Sequence, residues 1–308
     1  MISCTEFIPS YSELFSFLEE EYGYAEVERY WNDIFDPDRN GILNQKVARL
    51  GLRGCYEYWA MSLNEEAADF TMYLNEADGW FMIQMHRCPS KGRLLDLEQI
   101  RPYPRYCLHC DMYRKTVERY GLRYQYDFTQ TGRAACSSLI YDPARFQGKM
   151  VLTDGTLVMD RRAADNKYLH RDFHLYMNMG VDYLGRKFGS AVVDAYLARY
   201  ARGYLRPLAE KIRTEGLPAL QENIAATYAA EEAPEAVHLE RRGNRLDVRV
   251  EWCPGVRHIR NRSEPVSPWY SRTTTAVMGT LAGETGLQFS MDAYHEQTGA
   301  AAYHFITA

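Results

Sequence analysis

At 308 residues, with 46% hydrophobic and 25% charged side chains, the chain has the composition of a globular protein with room for about two domains and a sizeable core. A formal net charge of −5 argues against phosphate neutralisation, so no nucleic-acid partner is expected, and no stretch approaches the roughly 18 uninterrupted apolar residues that would predict a membrane partner. Met1 to Glu6 carries no basic leader and the seven cysteines are odd in number and irregular in spacing, which predicts a cytoplasmic protein without a disulfide framework.

In chain order, the first apolar pattern is helical. Phe15, Leu18 and Tyr22, then Val27, Tyr30 and Trp31, fall at helical spacing, with Gly23 between the two runs as a turn or helix end. Trp80 to Arg87 predicts a strand with Phe81, Ile83 and Met85 on one face and Gln84, His86 and Cys88 on the other. A loop rich in proline and tyrosine follows. Met112 to Tyr120 then predicts a helix that Gly121 ends in the left-handed conformation, and Leu122 to Phe128 and Ala134 to Ile140 predict two closing strands around a Gln-Thr-Gly turn. Between Asp142 and Asp172 lies a junction whose Asp154-Gly155, flanked by apolar residues from Met150 to Met159, signals a hairpin. Beyond it Val181, Leu184, Phe188, Val192, Tyr196 and Tyr200 are again helical, and two more helices flank Gly216, the second running to Tyr228. Leu246 to Trp252 alternates strictly as a strand, and Leu287 to Met291 and Ala301 to Ile306 predict the last two.

The second half therefore repeats the first. Gly23 and Gly189, Tyr30 and Tyr196, Gly51-Leu52 and Gly216-Leu217, Cys88-Pro89 and Cys253-Pro254, Gly121-Leu122 and Gly286-Leu287, and Asp127 and Asp292 all stand about 165 residues apart. Gln130 to Ala135 is answered in the same way by Gln297 to Ala302. Such a period is too long for a solenoid unit and predicts two homologous α+β domains, each with helices on one face of a small, mainly antiparallel sheet. The expected bounds are 1–145 for the first copy, 146–172 for a structured linker and 173–308 for a degenerate second copy, the two packed as an internal pseudo-dimer.

What separates the copies is sulfur. Cys107-Leu108-His109-Cys110-Asp111 in the first has Arg272-Thr273-Thr274-Thr275-Ala276 as its counterpart. Asp111, just before a helical run, is placed to cap that helix, and Cys107 and Cys110 would then sit at the positive end of its dipole, where the thiolate is favoured. His109 is placed to take a proton from either thiol or from water. The competing reading is burial, since unpaired cysteine behaves as a small hydrophobe. It is the reading taken for Cys136, and a shared structural need is taken for Cys88 and Cys253, which precede prolines in both copies. No cofactor is expected; if zinc is held, Cys107 and Cys110 are its ligands, with His86, Cys88 or His109 to complete the set. The sequence has no Gly-rich phosphate loop, G-x-S-x-G elbow or H-E-x-x-H helix.

Cys88-Pro89, Cys107 to Asp111 and Gly132-Arg133-Ala134-Ala135-Cys136 together resemble the pattern of the L-2-amino-thiazoline-4-carboxylic acid hydrolase-like proteins, over residues 80–141. The layout also looks like that of the vinyl-reductase-type small-molecule-binding domains, which are sensors or accessory modules. The first resemblance implies hydrolytic opening of a small nitrogen and sulfur heterocycle, or of a related C–N bond, with Cys107 or Cys110 as nucleophile, His109 as proton shuttle and Asp111 as its orienting group. Substrate contacts are expected at His86, Cys88, Tyr106 and Asp127, the last either holding a cationic amidine or stabilising its turn. The second resemblance implies binding without turnover.

Overall fold

The computed structural model describes residues 1–38 and 41–307. In chain order the helices α1 (Phe7–Tyr22), α2 (Tyr24–Ile34), α3 (Ile42–Leu50) and α4 (Leu52–Glu65) lead into the strands β1 (Asp69–Asn75) and β2 (Trp80–Arg87). After α5 (Pro89–Asp96), a 3-10 turn (Tyr106–Met112) and α6 (Tyr113–Glu118) come β3 (Arg123–Asp127), β4 (Cys136–Tyr141) and β5 (Leu157–Arg161). The same succession follows: α7 (Phe173–Phe188), α8 (Ser190–Tyr204), α9 (Arg206–Glu215), α10 (Leu217–Ala230), β6 (Val237–Arg242), β7 (Arg245–Val250), α11 (Pro254–Asn261), α12 (Arg272–Thr285), β8 (Leu287–His295) and β9 (Ala300–Thr307). The fold is α+β. Both sheets are antiparallel throughout, ordered β3-β4-β2-β1-β5 and β8-β9-β7-β6, so their first four strands follow one topology. Among the described residues no helix is long and apolar enough to cross a membrane.

Two compact units divide the chain. One contains Leu18–Leu97 with Pro102–Tyr168, the other Met1–Phe17 and Glu98–Arg101 with Leu169–Ala308. Residues 146–168, expected as a linker, belong with the first of these units, and residues 1–17 and 98–101, expected in the first copy, group with the second half. Their attachments are specific: the Phe7 and Phe173 rings stack at 4.5 Å, and the Tyr196 hydroxyl donates to the Ser10 carbonyl at 2.8 Å.

In the first unit β2 forms as its alternation requires. Phe81 and Ile83 are buried against Cys55 and Trp59 of α4 and against Phe70 and Met72 of β1, while Gln84 and His86 face away. Fully burying a side chain the size of Phe81 contributes roughly 1.5–3 kcal/mol. In the second unit Leu246, Val248 and Val250 do the same for β7. Gly121 and Gly286 take φ of +78° and +73° after α6 and α12, the left-handed conformation expected of them.

Four expectations change. The junction is not a two-stranded hairpin: residues 150–152 are irregular, Thr153 to Thr156 make a turn in which Gly155 has φ +93°, and β5 pairs with β1 instead. Strands β1 and β6 were unforeseen, because β1 is buried on both faces and shows no alternation, and β6 is short and largely exposed. The short helices α5 and α11 open on prolines, which suit a first turn whose N–H groups have no partner within the helix. The helix expected from Met112 begins at Tyr113 and is six residues long, because the preceding residues wind as 3-10.

The α3–α4 corner is close-packed. A Cβ on Gly54 would lie 2.1 Å from the Lys46 carbonyl oxygen, whereas one on Gly283 in α12 would meet nothing within 4 Å. Gly54→Ala should therefore destabilise by about 1–3 kcal/mol despite its gain in helix propensity, and Gly283→Ala should stabilise by roughly 0.5–1 kcal/mol. Urea unfolding of both variants checks this; a neutral Gly54→Ala would mean that the corner is looser than described.

Candidate active site in the first unit

The antiparallel register sets Met85 of β2 opposite Cys136 of β4, so the chain leaving β2 passes the start of β4. There the Cys88 N–H donates to the Ala134 carbonyl at 2.6 Å, Ala134 itself being held at φ +61°. Cys88 also caps α5, its Sγ accepting from the Lys91 N–H at 3.4 Å. The cap is not a need shared by the two copies, since Cys253 before Pro254 makes no side-chain cap bond. The chain then returns as the 3-10 turn, and Cys88, Tyr106, Cys107, His109, Cys110 and Cys136 come together around a cavity of about 40 Å³, with Ser90, Lys91 and Tyr126 in its wall. Four of the seven cysteines converge here, and all seven are free thiols.

His109 is oriented from both sides. Its Nδ1 bonds the Tyr106 carbonyl, and a carbonyl only accepts, so the proton resides on Nδ1. Nε2 is left as an acceptor facing Cys110 Sγ at 3.7 Å. The Tyr106 ring stands edge-on to the imidazole, centroids 4.9 Å apart. Burial pushes the imidazole down to about 4, partly opposed by the Tyr106 carbonyl. It also pushes the Cys107 thiol up to about 11, against the pull of Lys91. Cys110 is raised further by burial and by Cys88, Cys107 and Cys136 around it, with the Tyr126 hydroxyl opposing. Cys107, His109 and Cys110 nonetheless each keep partial solvent exposure. The resting pair is a neutral thiol facing a neutral imidazole.

This overturns the expectation of a helix-stabilised thiolate. Cys107 and Cys110 lie in the 3-10 turn, which supplies no macrodipole comparable to that of a long helix. Asp111 does not cap the helix either: Met112 occupies the cap position without a side-chain bond, and Asp111 pairs with Arg114 at 2.6 Å. It does not line the cavity and does not orient His109, whose Nδ1 is taken by Tyr106. Nor do Cys107 and Cys110 assemble a metal set. Among the described residues, no group of three or more candidate ligand atoms mutually within 4.8 Å includes them.

His86 and Asp127 belong to a neighbouring cleft of about 580 Å³, lined also by Gln84, Gln130, Arg133 and Ser137. His86 Nε2 bonds Thr71 Oγ1 at 2.8 Å, and Thr71 donates onward to Asp160 at 2.7 Å. Asp127 accepts from the Thr129 N–H at 2.8 Å, a turn-stabilising bond that lowers its carboxyl, while the side chain still borders the cleft. Cleft and cavity share Ala135 and Cys136. Cys136 is therefore no buried filler: it is part-exposed, borders both spaces and accepts from the Tyr126 hydroxyl at 3.0 Å. Its position two residues from left-handed Ala134, at the first residue of a strand, was the signal that alternation alone did not carry.

The corresponding place in the second unit is filled. A cavity of about 10 Å³ is left among Cys253, Tyr270, Tyr294, Tyr303 and Met1, and the register puts Ala301 at the position of Cys136, since Val250 pairs with Ala301 as Met85 pairs with Cys136. No family model matches the chain, and no curated protein or solved structure matches it either.

Unfolded, His109 titrates near its ordinary 6.5, and folded only near 4, so the unfolded chain binds more protons between those values. The stability contributed is complete above about pH 6.5 and is lost as pH falls towards 4. Between about pH 7 and about pH 4.5 wild type should lose on the order of 2 kcal/mol more than His109→Gln. Urea unfolding at the two pH values measures the difference, and equal losses would show that the imidazole is hydrated in the fold.

Proposed function

We propose that the first unit is a small-molecule hydrolase that opens a small nitrogen and sulfur heterocycle, or a related C–N bond, with Cys110 as nucleophile and His109 as its base. The observation that carries this reading is the Cys110–His109 pair, with the imidazole tautomer fixed by Tyr106, beside a cleft whose volume suits a small ligand. The polar lining of Gln84, His86, Gln130 and Arg133 suits a substrate bearing a carboxylate or another polar group. The resemblance of residues 80–141 to the thiazoline hydrolase pattern points to the same chemistry.

Because the resting thiol is neutral, attack and proton transfer are coupled. As Sγ bonds the electrophilic carbon of a C=N group, its proton passes to His109 Nε2, and the electron pair of the C=N bond moves to nitrogen. The pair on that nitrogen then re-forms the C=N bond as the sulfur, or a second nitrogen, on the same carbon departs with the proton that the imidazolium returns. Water then attacks the carbon held on Cys110, neutral His109 takes its proton, and cleavage of the C–S bond restores the thiol. A cavity of about 40 Å³ accommodates the reacting carbon or a water molecule, so the bulk of the substrate occupies the larger cleft. The second unit, with the same strand order and its cavity filled by tyrosines, is read as a degenerate duplicate.

The raised thiols favour one other reading, ligand binding without turnover, as in the sensor domains of similar layout. The two are separated with 2-amino-thiazoline-4-carboxylate, following ring opening as the appearance of free thiol. Cys110→Ser and His109→Gln should each lower kcat by at least about a hundredfold with little change in melting temperature. Thermal stabilisation by the compound with no turnover would replace the hydrolase reading by the binding one.

A further inference from the structure

A second cluster of reactive side chains lies outside the proposed active site, in the second unit. Cys4 opens a 3-10 turn, His174 stands in the first turn of α7 and Glu231 follows the last residue of α10. All three are buried, at 0%, 0% and 2% exposure, and their ligand atoms lie within 4.8 Å of one another. We propose that Cys4, His174 and Glu231 form a zinc site.

The donor set selects the ion. One thiolate, one imidazole and one carboxylate are the ligand types of zinc, whereas calcium and magnesium require oxygen donors throughout. The charges balance, since the two positive charges of the ion meet one thiolate and one carboxylate, and a neutral assembly is the only kind a dry interior tolerates cheaply. The ion takes the place of the Cys4 thiol proton, which leaves to solvent.

The surroundings hold each ligand. Glu231 Oε1 accepts from the Ser3 hydroxyl at 2.7 Å and from the Cys4 N–H at 2.6 Å, which fixes the carboxylate against the residue that carries the thiol. His174 Nε2 is 3.1 Å from Glu231 Oε2, and Nδ1 is 3.1 Å from the Tyr270 hydroxyl. With a metal on Nε2, the one proton of a neutral imidazole sits on Nδ1 and is donated to Tyr270, the outer partner that a metal-bound histidine normally has. Gly255 makes room for this contact, since a Cβ there would lie 2.1 Å from the Tyr270 oxygen and 2.7 Å from His174 Nδ1. Three protein ligands leave a fourth position to the second carboxylate oxygen or to water.

The test uses the full chain, reduced, stripped with a chelator and titrated with zinc or cobalt. One ion should bind per chain, and X-ray absorption of the zinc form should find one sulfur at about 2.3 Å with lighter ligands at about 2.0–2.1 Å. Cys4→Ser should weaken binding by more than about a hundredfold, beyond what removing an outer hydrogen-bond partner does, and Cys107→Ser/Cys110→Ser should leave it unchanged. The cobalt form should show a thiolate charge-transfer band that Cys4→Ser abolishes. Failure of the wild type to take up an ion, several sulfurs per zinc, or loss of binding in Cys107→Ser/Cys110→Ser would each overturn the proposal. The absorption measurement needs no variant, so the outcome does not depend on Cys4→Ser folding.

Discussion

One backbone hydrogen bond organises each unit. In the first, the Cys88 N–H reaches the Ala134 carbonyl at 2.6 Å; in the second, the Cys253 N–H reaches the Thr298 carbonyl at 2.9 Å. Each bond ties the turn that leaves one sheet strand to the turn that enters its neighbour, and each sits directly before a proline that starts a helix. Buried backbone donors need partners, so this tie fixes the corner of the sheet whatever the nearby side chains are. Side chains grouped around that corner are then free to differ. In one unit they are sulfur and imidazole around an opening, and in the other tyrosines that close it.

The first unit uses that freedom to dehydrate its reactive groups rather than to ionise them. Burial acts in the same direction on both members of the Cys110–His109 pair, raising the thiol and lowering the imidazole, so that proton exchange between them in the resting state is unfavourable. A preformed thiolate would need a cation or a long helix aimed at it. Lys91 is the nearest approach to the former, and it acts on Cys107 without reversing the effect of burial. On the proposed reading His109 would act as a base held in one tautomer, and Cys110 would give up its proton only while bonding to its target.

How much of this was legible in the sequence follows from the range of each signal. Strands β2 and β7 are half-buried, so Phe81 and Ile83, like Leu246 and Val248, announce them by alternation, and Gly121 and Gly286 mark their turns because only glycine takes a positive φ easily. Strand β1 escaped because both of its faces are covered. The roles of Asp111 and Cys136 were misjudged for a local reason: the 3-10 winding of residues 106–112 rotates the cysteines relative to an α-helix, and the left-handed turn at Ala134 re-aims the start of β4. The grouping of Cys4, His174 and Glu231 had no sequence signal at all, since no motif joins residues so far apart along the chain.

The attachment of residues 1–17 to the unit completed by residues 169–308 has a consequence for biosynthesis. On the ribosome this segment emerges well before the surface that covers it: Phe173, whose ring stacks on Phe7, and Tyr196, whose hydroxyl donates to Ser10, are translated only after roughly 150 more residues, a delay of roughly 8–30 s at ordinary elongation rates of about 5–20 residues per second. During that interval an apolar helix waits unpaired while the intervening unit has everything it needs to fold. Closing so long a loop makes the second unit the slower of the two to form, and makes the nascent amino-terminal segment a natural client for a chaperone.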